Sequence, residues 1–330
     1  MKCAVLGAGA WGTALANVLA ENGHDTCMWA FEPDVAYAIQ TGHENPRFLP
    51  GTVLHGGMRC TTEKQEALEN AELVVFASPS LVLRSVIEGC HDWTLPGARL
   101  VVATKGIERV TLALMTEVVS DVLPRRPMIA LSGPSFASEV ASRQPTAIVA
   151  AARDAAQASF VQSAFSSPSF RVYTHDDVVG VELGGALKNV MAVATGISDG
   201  LALGFNARAA LITRGLAEMM RLGAQLGGRP ATFAGLAGVG DLVLTCTGAL
   251  SRNRAVGLEI GRGRVLQDVL AGRETVAEGV TTTESAKALA EREGVEMPIV
   301  TAVHRILFER QPARWALVEL MARGLRGEED

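Results

Sequence analysis

The run Cys3-Ala4-Val5-Leu6-Gly7-Ala8-Gly9-Ala10-Trp11-Gly12-Thr13 constrains this chain more than any other stretch. Cys3 to Leu6 is an apolar segment of strand length, it ends in Gly7-x-Gly9-x-x-Gly12, and Thr13 to Glu21 then reads as a helix with Gly23 just past its end. Each glycine has a physical task in a dinucleotide-binding turn. Gly7 allows the tight bend, Gly9 lets a pyrophosphate approach the backbone, and Gly12 lets the helix sit close to the strand. The helix N-terminus offers unpaired N–H groups and a positive dipole end to the phosphates. Such glycine spacings also arise by chance in alanine- and glycine-rich helix starts. Here the context of strand, turn, helix and following strand is the one the turn requires.

Thr26 to Ala30 forms that following strand, broken by Phe31-Glu32-Pro33. Glu32 lies about twenty residues beyond the last glycine, where a dinucleotide-binding unit puts its ribose-contacting acid. An ordinary exposed loop glutamate fits the position equally well. After the turn-rich connection Asn45-Pro46-Arg47-Phe48-Leu49-Pro50-Gly51, further apolar strands are expected at Leu73 to Ala77, Leu100 to Ala103, Met128 to Leu131 and Ala147 to Ala150. Near-continuous apolar strands alternating with helix-length segments indicate a parallel sheet covered on both faces. Gly7–Gly12, Ser78–Ser80, Thr104–Gly106 and Ser132–Ser135 all follow strands, so they should share the carboxyl edge where such sheets bind ligands. That places Lys105 at the site, whereas Gly133 and Ser135 could equally form a simple turn.

Only 20% of residues are charged and the net charge is −5, so no basic stripe is available for nucleic acid. Residues 3–20 are uncharged and follow Lys2, as in a signal peptide, but Gly7, Gly9, Gly12 and Asn17 interrupt them and fit a nucleotide loop better. No other stretch is expected to approach membrane-spanning length. The five cysteines are scattered and odd in number, without metal-ligand spacing, and read as buried thiols of a cytoplasmic protein.

Beyond residue 177 strand-like runs stop and helical periodicity continues to the end. The expected division is therefore 1–177, a dinucleotide-binding unit, and 178–330, a helical one. In the first helix of the second half, Val178 to Ser198, Lys188 is the only charge between Glu182 and Asp199, among glycines and alanines. A helix apolar all round is buried, and burial lowers an ammonium's pKa. Such a lysine suits proton transfer, the alternative being one that snorkels to solvent. It needs a carboxylate, and Asp241 follows the glycine-rich turn 235–240, although an aspartate there can also be a plain helix N-cap. Ser251-Arg252-Asn253-Arg254 is a compact donor group in a turn after Gly248, where Arg252 or Arg254 can hold a phosphate, or simply start a solvated helix. Val276-Ala277-Glu278-Gly279 reads as a turn among later helices, Pro298 as a helix start, and residues 327–330 as a solvated tail.

Assembled, these segments resemble the bacterial NAD(P)-dependent glycerol-3-phosphate dehydrogenase family. The matching residues are 7–16, Ala-Thr-Lys-Gly at 103–106, Ser-Gly-Pro-Ser-Phe-Ala at 132–137 and Gly-Gly-Ala-Leu-Lys-Asn at 184–189. Residues 206–215, 238–247 and 251–254 extend the match in the same order. The resemblance implies an α/β, Rossmann-like doubly wound sheet followed by an all-helical substrate domain, as a cytoplasmic homodimer without membrane insertion. It also implies reversible reduction of dihydroxyacetone phosphate to sn-glycerol 3-phosphate with NADH or NADPH, feeding phospholipid synthesis, without a metal. By position, Lys188 corresponds to the catalytic proton donor and acceptor. Lys105, Gly133, Ser135, Asp241, Ser251, Arg252 and Asn253 correspond to substrate contacts. Trp11, Ala137, Val276 and Glu278 correspond to cofactor contacts, with Lys105 and Arg252 touching both ligands. The family often carries histidine or arginine after the second strand; Phe31-Glu32 departs from that, and the expectation is that NADH serves at least as well as NADPH, unless Arg47 folds back to a 2′-phosphate. A hydroxy-acid dehydrogenase, which needs a carboxylate clamp, and a nucleotide-sensing regulator, which has no use for Lys188, are the alternatives.

Overall fold

A computed structural model describes residues 1–271, 277–324 and 327. Its ten strands are β1 (Lys2–Leu6), β2 (Asp25–Trp29), β3 (Glu44–Asn45), β4 (Leu49–Val53), β5 (Arg59–Thr61), β6 (Leu73–Phe76), β7 (Arg99–Val102), β8 (Met128–Ser132), β9 (Thr146–Ala151) and β10 (Phe170–His175). Eight of them form one sheet in the order β10-β9-β8-β7-β6-β1-β2-β5, and β3 and β4 make a separate antiparallel ribbon. The buried strands β1, β6 and β7 are apolar because helices cover both faces, which leaves no water for a polar side chain to meet. The chain leaves β1 toward β2 on one side and later returns to β6 on the other. That reversal opens a crevice at the carboxyl ends of β1 and β6.

The sheet is not parallel throughout: β8 and β9 pair antiparallel, Ser132 opposite Val149. Between them lies only the five-residue helix Ala137–Ala141. At about 1.5 Å per residue it is too short to carry the chain back along a strand that rises about 3.3 Å per residue. The connection therefore turns back on the same edge.

After β10 the fold becomes helical. Helix Val178–Gly200 is the axis of this half, and its central residues, Gly180 to Ser198, are buried on every side. Contrary to the expectation about membrane-spanning length, this 23-residue helix, whose most apolar 18-residue window has a mean hydropathy of 1.3, is long and apolar enough to cross a bilayer, but 89% of that window is buried inside the protein. Helices Gly204–Gln225, Asp241–Thr247, Arg252–Gly261 and Glu278–Arg292 pack round it. Small residues on the axis make this possible. A Cβ at Gly184 would stand 2.3 Å from the Ala237 carbonyl oxygen, so only glycine admits the 236–240 turn that precedes Asp241. Ser251 to Arg254 is a helix start: the Ser251 hydroxyl accepts from the Arg254 N–H at 3.2 Å. Glu278 opens a helix, where a turn was expected. Val276 and the terminal residues 328–330 lie outside the described residues.

Candidate active site

The glycine turn has the expected form. A Cβ on Gly12 would fall 1.9 Å from the Gly7 carbonyl oxygen, so this residue sets the close approach of helix Ala10–Glu21 to β1, while a Cβ on Gly9 would meet nothing within 4 Å. Gly9 thus presents an open face beside the helix N-terminus, and Trp11 packs on the adjoining core with its Nε1 buried and without a hydrogen-bond partner. An open glycine face, a free helix end and an orphaned indole donor fit a dinucleotide diphosphate. Ala137, first in its short helix, packs into the same core.

Because β8, β7, β6 and β1 are parallel neighbours, their following loops converge. The Thr104 hydroxyl donates to the Ser78 carbonyl at 2.8 Å, joining two of them. Lys105 Nζ donates to the Gly133 carbonyl at 3.1 Å and to Asp241 Oδ2 at 2.7 Å, crossing from the sheet edge to the helical half. Lys188 Nζ donates to Asp241 Oδ1 at 2.5 Å. Asp241 is wholly buried and Lys188 is 8% exposed. Asp241 is the first residue of helix Asp241–Thr247 and is capped by nothing of its own; its carboxylate serves two ammonium groups instead. Thr245, one turn on, adds a hydroxyl to Oδ1 at 3.4 Å.

Two ammoniums share one carboxylate, which leaves the cluster one positive charge in excess. Burial holds the Lys188 pKa down to about 8, with Asp241 opposing that shift and Lys105 adding to it. An ammonium in this state is charged at neutral pH and still able to give up its proton.

Ser135 donates its hydroxyl to the Gly133 carbonyl at 3.0 Å, in the turn where Gly133 holds a φ of 141°. Arg252 and Arg254 separate sharply. Arg254 ion-pairs with the nearly buried Asp199 at 2.7 Å, as Arg208 does at 2.6 Å, so it locks the helix start rather than facing a ligand. Arg252 is exposed at the N-terminus of its helix and makes no hydrogen bond among the described residues. The backbone N–H groups of Arg252 and Asn253 are likewise unpartnered among the described residues. Asn253 is largely committed, its Nδ2 donating to Asn189 Oδ1 and its Oδ1 accepting from the Gly279 N–H, both at 2.9 Å.

Glu278 faces Arg252 electrostatically and binds the β6 loop, taking the Ser80 N–H at 3.1 Å and the Ser80 hydroxyl at 2.5 Å. Glu32 occupies the N-cap position of the short helix Pro33–Tyr37 without a side-chain capping hydrogen bond, and Phe31 beside it is 77% exposed. Arg47 lies 3.7 Å from Asp34 and over the Phe48 ring. Ser80 is expected only as part of the loop Ser78–Ser80 at the carboxyl edge, and Asn189 only as a neighbour of Lys188; neither is singled out for these contacts by its residue type, so position alone was the available signal. Among the described residues no group of three or more His, Cys, Asp or Glu could hold a metal ion.

Family models described as the NAD-dependent glycerol-3-phosphate dehydrogenase N-terminus and C-terminus match residues 2–158 and 177–318. The chain is 54% identical to the glycerol-3-phosphate dehydrogenase [NAD(P)+] of Geobacter metallireducens, over 99% of this chain and 98% of that one. It is 53% identical to the enzyme of the same name from Trichlorobacter lovleyi, over the full length of both. Among solved structures, glycerol-3-phosphate dehydrogenase from Coxiella burnetii superposes with a TM-score of 0.94 at 41% identity, covering 98% of this chain and 99% of that one. With both halves matched in order, and with the sheet, the axial helix and the paired lysines in place, the chain belongs to the NAD-dependent glycerol-3-phosphate dehydrogenase family.

Proposed function

We propose that this chain interconverts dihydroxyacetone phosphate and sn-glycerol 3-phosphate with NADH or NADPH, with Lys188 as proton donor and acceptor. The observation that carries the reading is the Lys188–Asp241–Lys105 cluster, with Lys188 and Asp241 buried, set where the carboxyl edge of the sheet meets the helical half. When bound, the nicotinamide would supply the hydride to the ketone carbonyl carbon, or accept it from the carbinol carbon in the reverse direction. Residues 1–177 would hold that cofactor through Gly7, Gly9, Trp11, Gly12 and Ala137 at one end, with Glu278 of the helical half at the other. As the ketone oxygen gains negative charge, the Lys188 ammonium stabilises it and gives it a proton; in the oxidative direction the same amine takes the proton back. Asp241 fixes the direction of the Lys188 Nζ, and Lys105 adds the second positive charge. Arg252, with the free N–H groups of its helix and with Ser251 and Asn253 behind it, would hold the substrate phosphate. Gly133 and Ser135 would close the opposite wall. Residues 178–330 act as the substrate domain, and the assignment extends to a cytoplasmic homodimer serving phospholipid synthesis.

The test is consumption of NADH and NADPH with dihydroxyacetone phosphate, with dihydroxyacetone and with a 2-oxo acid. Turnover restricted to the phosphorylated ketone is expected. Equal or better turnover of the 2-oxo acid would replace the phosphate reading with a carboxylate one.

A further inference from the structure

We infer that Asn45, in the β3–β4 ribbon, is a positioning residue for the diphosphate of the cofactor: it fixes the orientation of the glycine turn's Ala8–Gly9 peptide. The inference rests on the reading that this turn holds the dinucleotide.

Asn45 is fully buried. Its Nδ2 donates to the Ala8 carbonyl and to Thr13 Oγ1, each at 2.8 Å, and its Oδ1 accepts from the Phe48 N–H at 3.1 Å. Thr13 Oγ1 also donates to the Ala8 carbonyl, at 3.3 Å. Two donors therefore draw that carbonyl into the protein. In a planar trans peptide the C=O and the next N–H point in opposite directions. With the Ala8 oxygen held inward, the Gly9 N–H faces away from Asn45, and it has no hydrogen-bond partner among the described residues. Gly9 itself is uncrowded, since a Cβ built on it would meet nothing within 4 Å.

Left to itself, the peptide would not be so defined. Gly9 tolerates φ of either sign, so the plane can flip at little local cost. The flipped form would present a carbonyl oxygen, with its partial negative charge, to an anionic diphosphate. The glycine that permits close approach thus creates an ambiguity, and a side chain from a remote ribbon resolves it. The segment leaving the ribbon is tied to the first helix, since the His55 N–H donates to Asn17 Oδ1 at 2.7 Å. Asn45 is held from two directions and has no freedom to follow the loop.

The test measures equilibrium binding, by calorimetry, of ADP-ribose, which carries the diphosphate but no nicotinamide, and of adenosine, by its displacement of NADH fluorescence. Asn45→Ala should weaken ADP-ribose about tenfold, the scale of one lost hydrogen bond to a charged group, and adenosine less than threefold. NADH and NADPH should weaken alike, because both carry the diphosphate. Thr13→Val, which removes the second donor, serves if thermal melting shows that Asn45→Ala does not fold, and should weaken ADP-ribose at least threefold. A loss below threefold in the folded variant, or an equal loss for adenosine, overturns the role of Asn45. Failure of the wild-type chain to bind ADP-ribose would instead overturn the reading of the turn as the dinucleotide site.

Discussion

Lys188 answers two opposing demands. As the proposed proton donor, it must be buried enough to release a proton near neutral pH and paired enough to remain charged there. Burial pulls its pKa down and Asp241 pushes it back, leaving it at about 8. The consequence for pH follows from which form works. Ketone reduction needs the ammonium, so its rate should fall as pH rises through about 8, while alcohol oxidation, which needs the free amine, should rise through the same range. Lys188→Met should lower turnover about 100- to 10,000-fold and leave the dissociation constant for NADH little changed. Near-normal turnover in that variant would remove Lys188 from the chemistry. The residue was legible in the sequence because it is a lone charge in an otherwise apolar helix. Asp241 was legible for the complementary reason, and its second partner, Lys105, only as a loop residue at the right edge. Asn45 was not legible: a turn asparagine looks the same whether or not its amide reaches a carbonyl 37 positions away. Glu32 stands between these cases. We propose that it disfavours a 2′-phosphate by like charge, so that NADH is used at least as well as NADPH. The ratio of catalytic efficiencies for the two cofactors should move toward NADPH in Glu32→Arg; an unmoved ratio would show that Glu32 does not read the ribose.

At the scale of elements, what could be read was what repeats. Continuous apolar strands stood out, whereas β10 did not, because it is an edge strand in which exposed Arg171 and Tyr173 alternate with buried Phe170 and Val172. The antiparallel turn of β9 was hidden for another reason, since direction depends on the length of the connecting helix and not on the strand's own residues. Helix starts are the elements proposed to carry ligand contacts. Arg252 begins one whose first N–H groups are free, and Arg254, two residues on, is spent on Asp199. Spacing alone left the two arginines equivalent; burial of Asp199 separates them. Arg252→Ala should therefore raise the Michaelis constant for dihydroxyacetone phosphate far more than for unphosphorylated dihydroxyacetone. The expected loss is about 1.5–3 kcal/mol of binding, the range for a hydrogen bond to a charged group. Equal losses on both substrates would make Arg252 a structural residue.

For the whole molecule, the question is how a sheet-based half and a helical half hold one geometry. Polar pairs cross between them, one buried and two partly buried: Thr116 to Glu182 through its N–H at 2.8 Å and hydroxyl at 2.5 Å, and then Lys105 to Asp241 and Ser80 to Glu278. The Ser80 pair bears most directly on function. Ser80 follows β6 in the crevice, Glu278 opens a helix of the other half beside Arg252, and both carboxylate oxygens are taken by one serine. Loss of solvent raises the Glu278 pKa, and the two Ser80 donors oppose that shift. If Glu278 contacts the nicotinamide end of the cofactor, Ser80 sets the direction of its carboxylate, and the pair couples cofactor binding to the relative placement of the halves. Ser80→Ala removes the hydroxyl and keeps the N–H. It should raise the dissociation constants for NADH and NADPH several-fold and equally, with little change in melting temperature. In a Glu278→Gln background the same substitution should add little, because residues that act through one bond show coupling of about 0.5–3 kcal/mol in a double-mutant cycle. Additive losses would mean that Ser80 acts on the cofactor by some route other than Glu278, and the crossing bond would then be a packing contact alone.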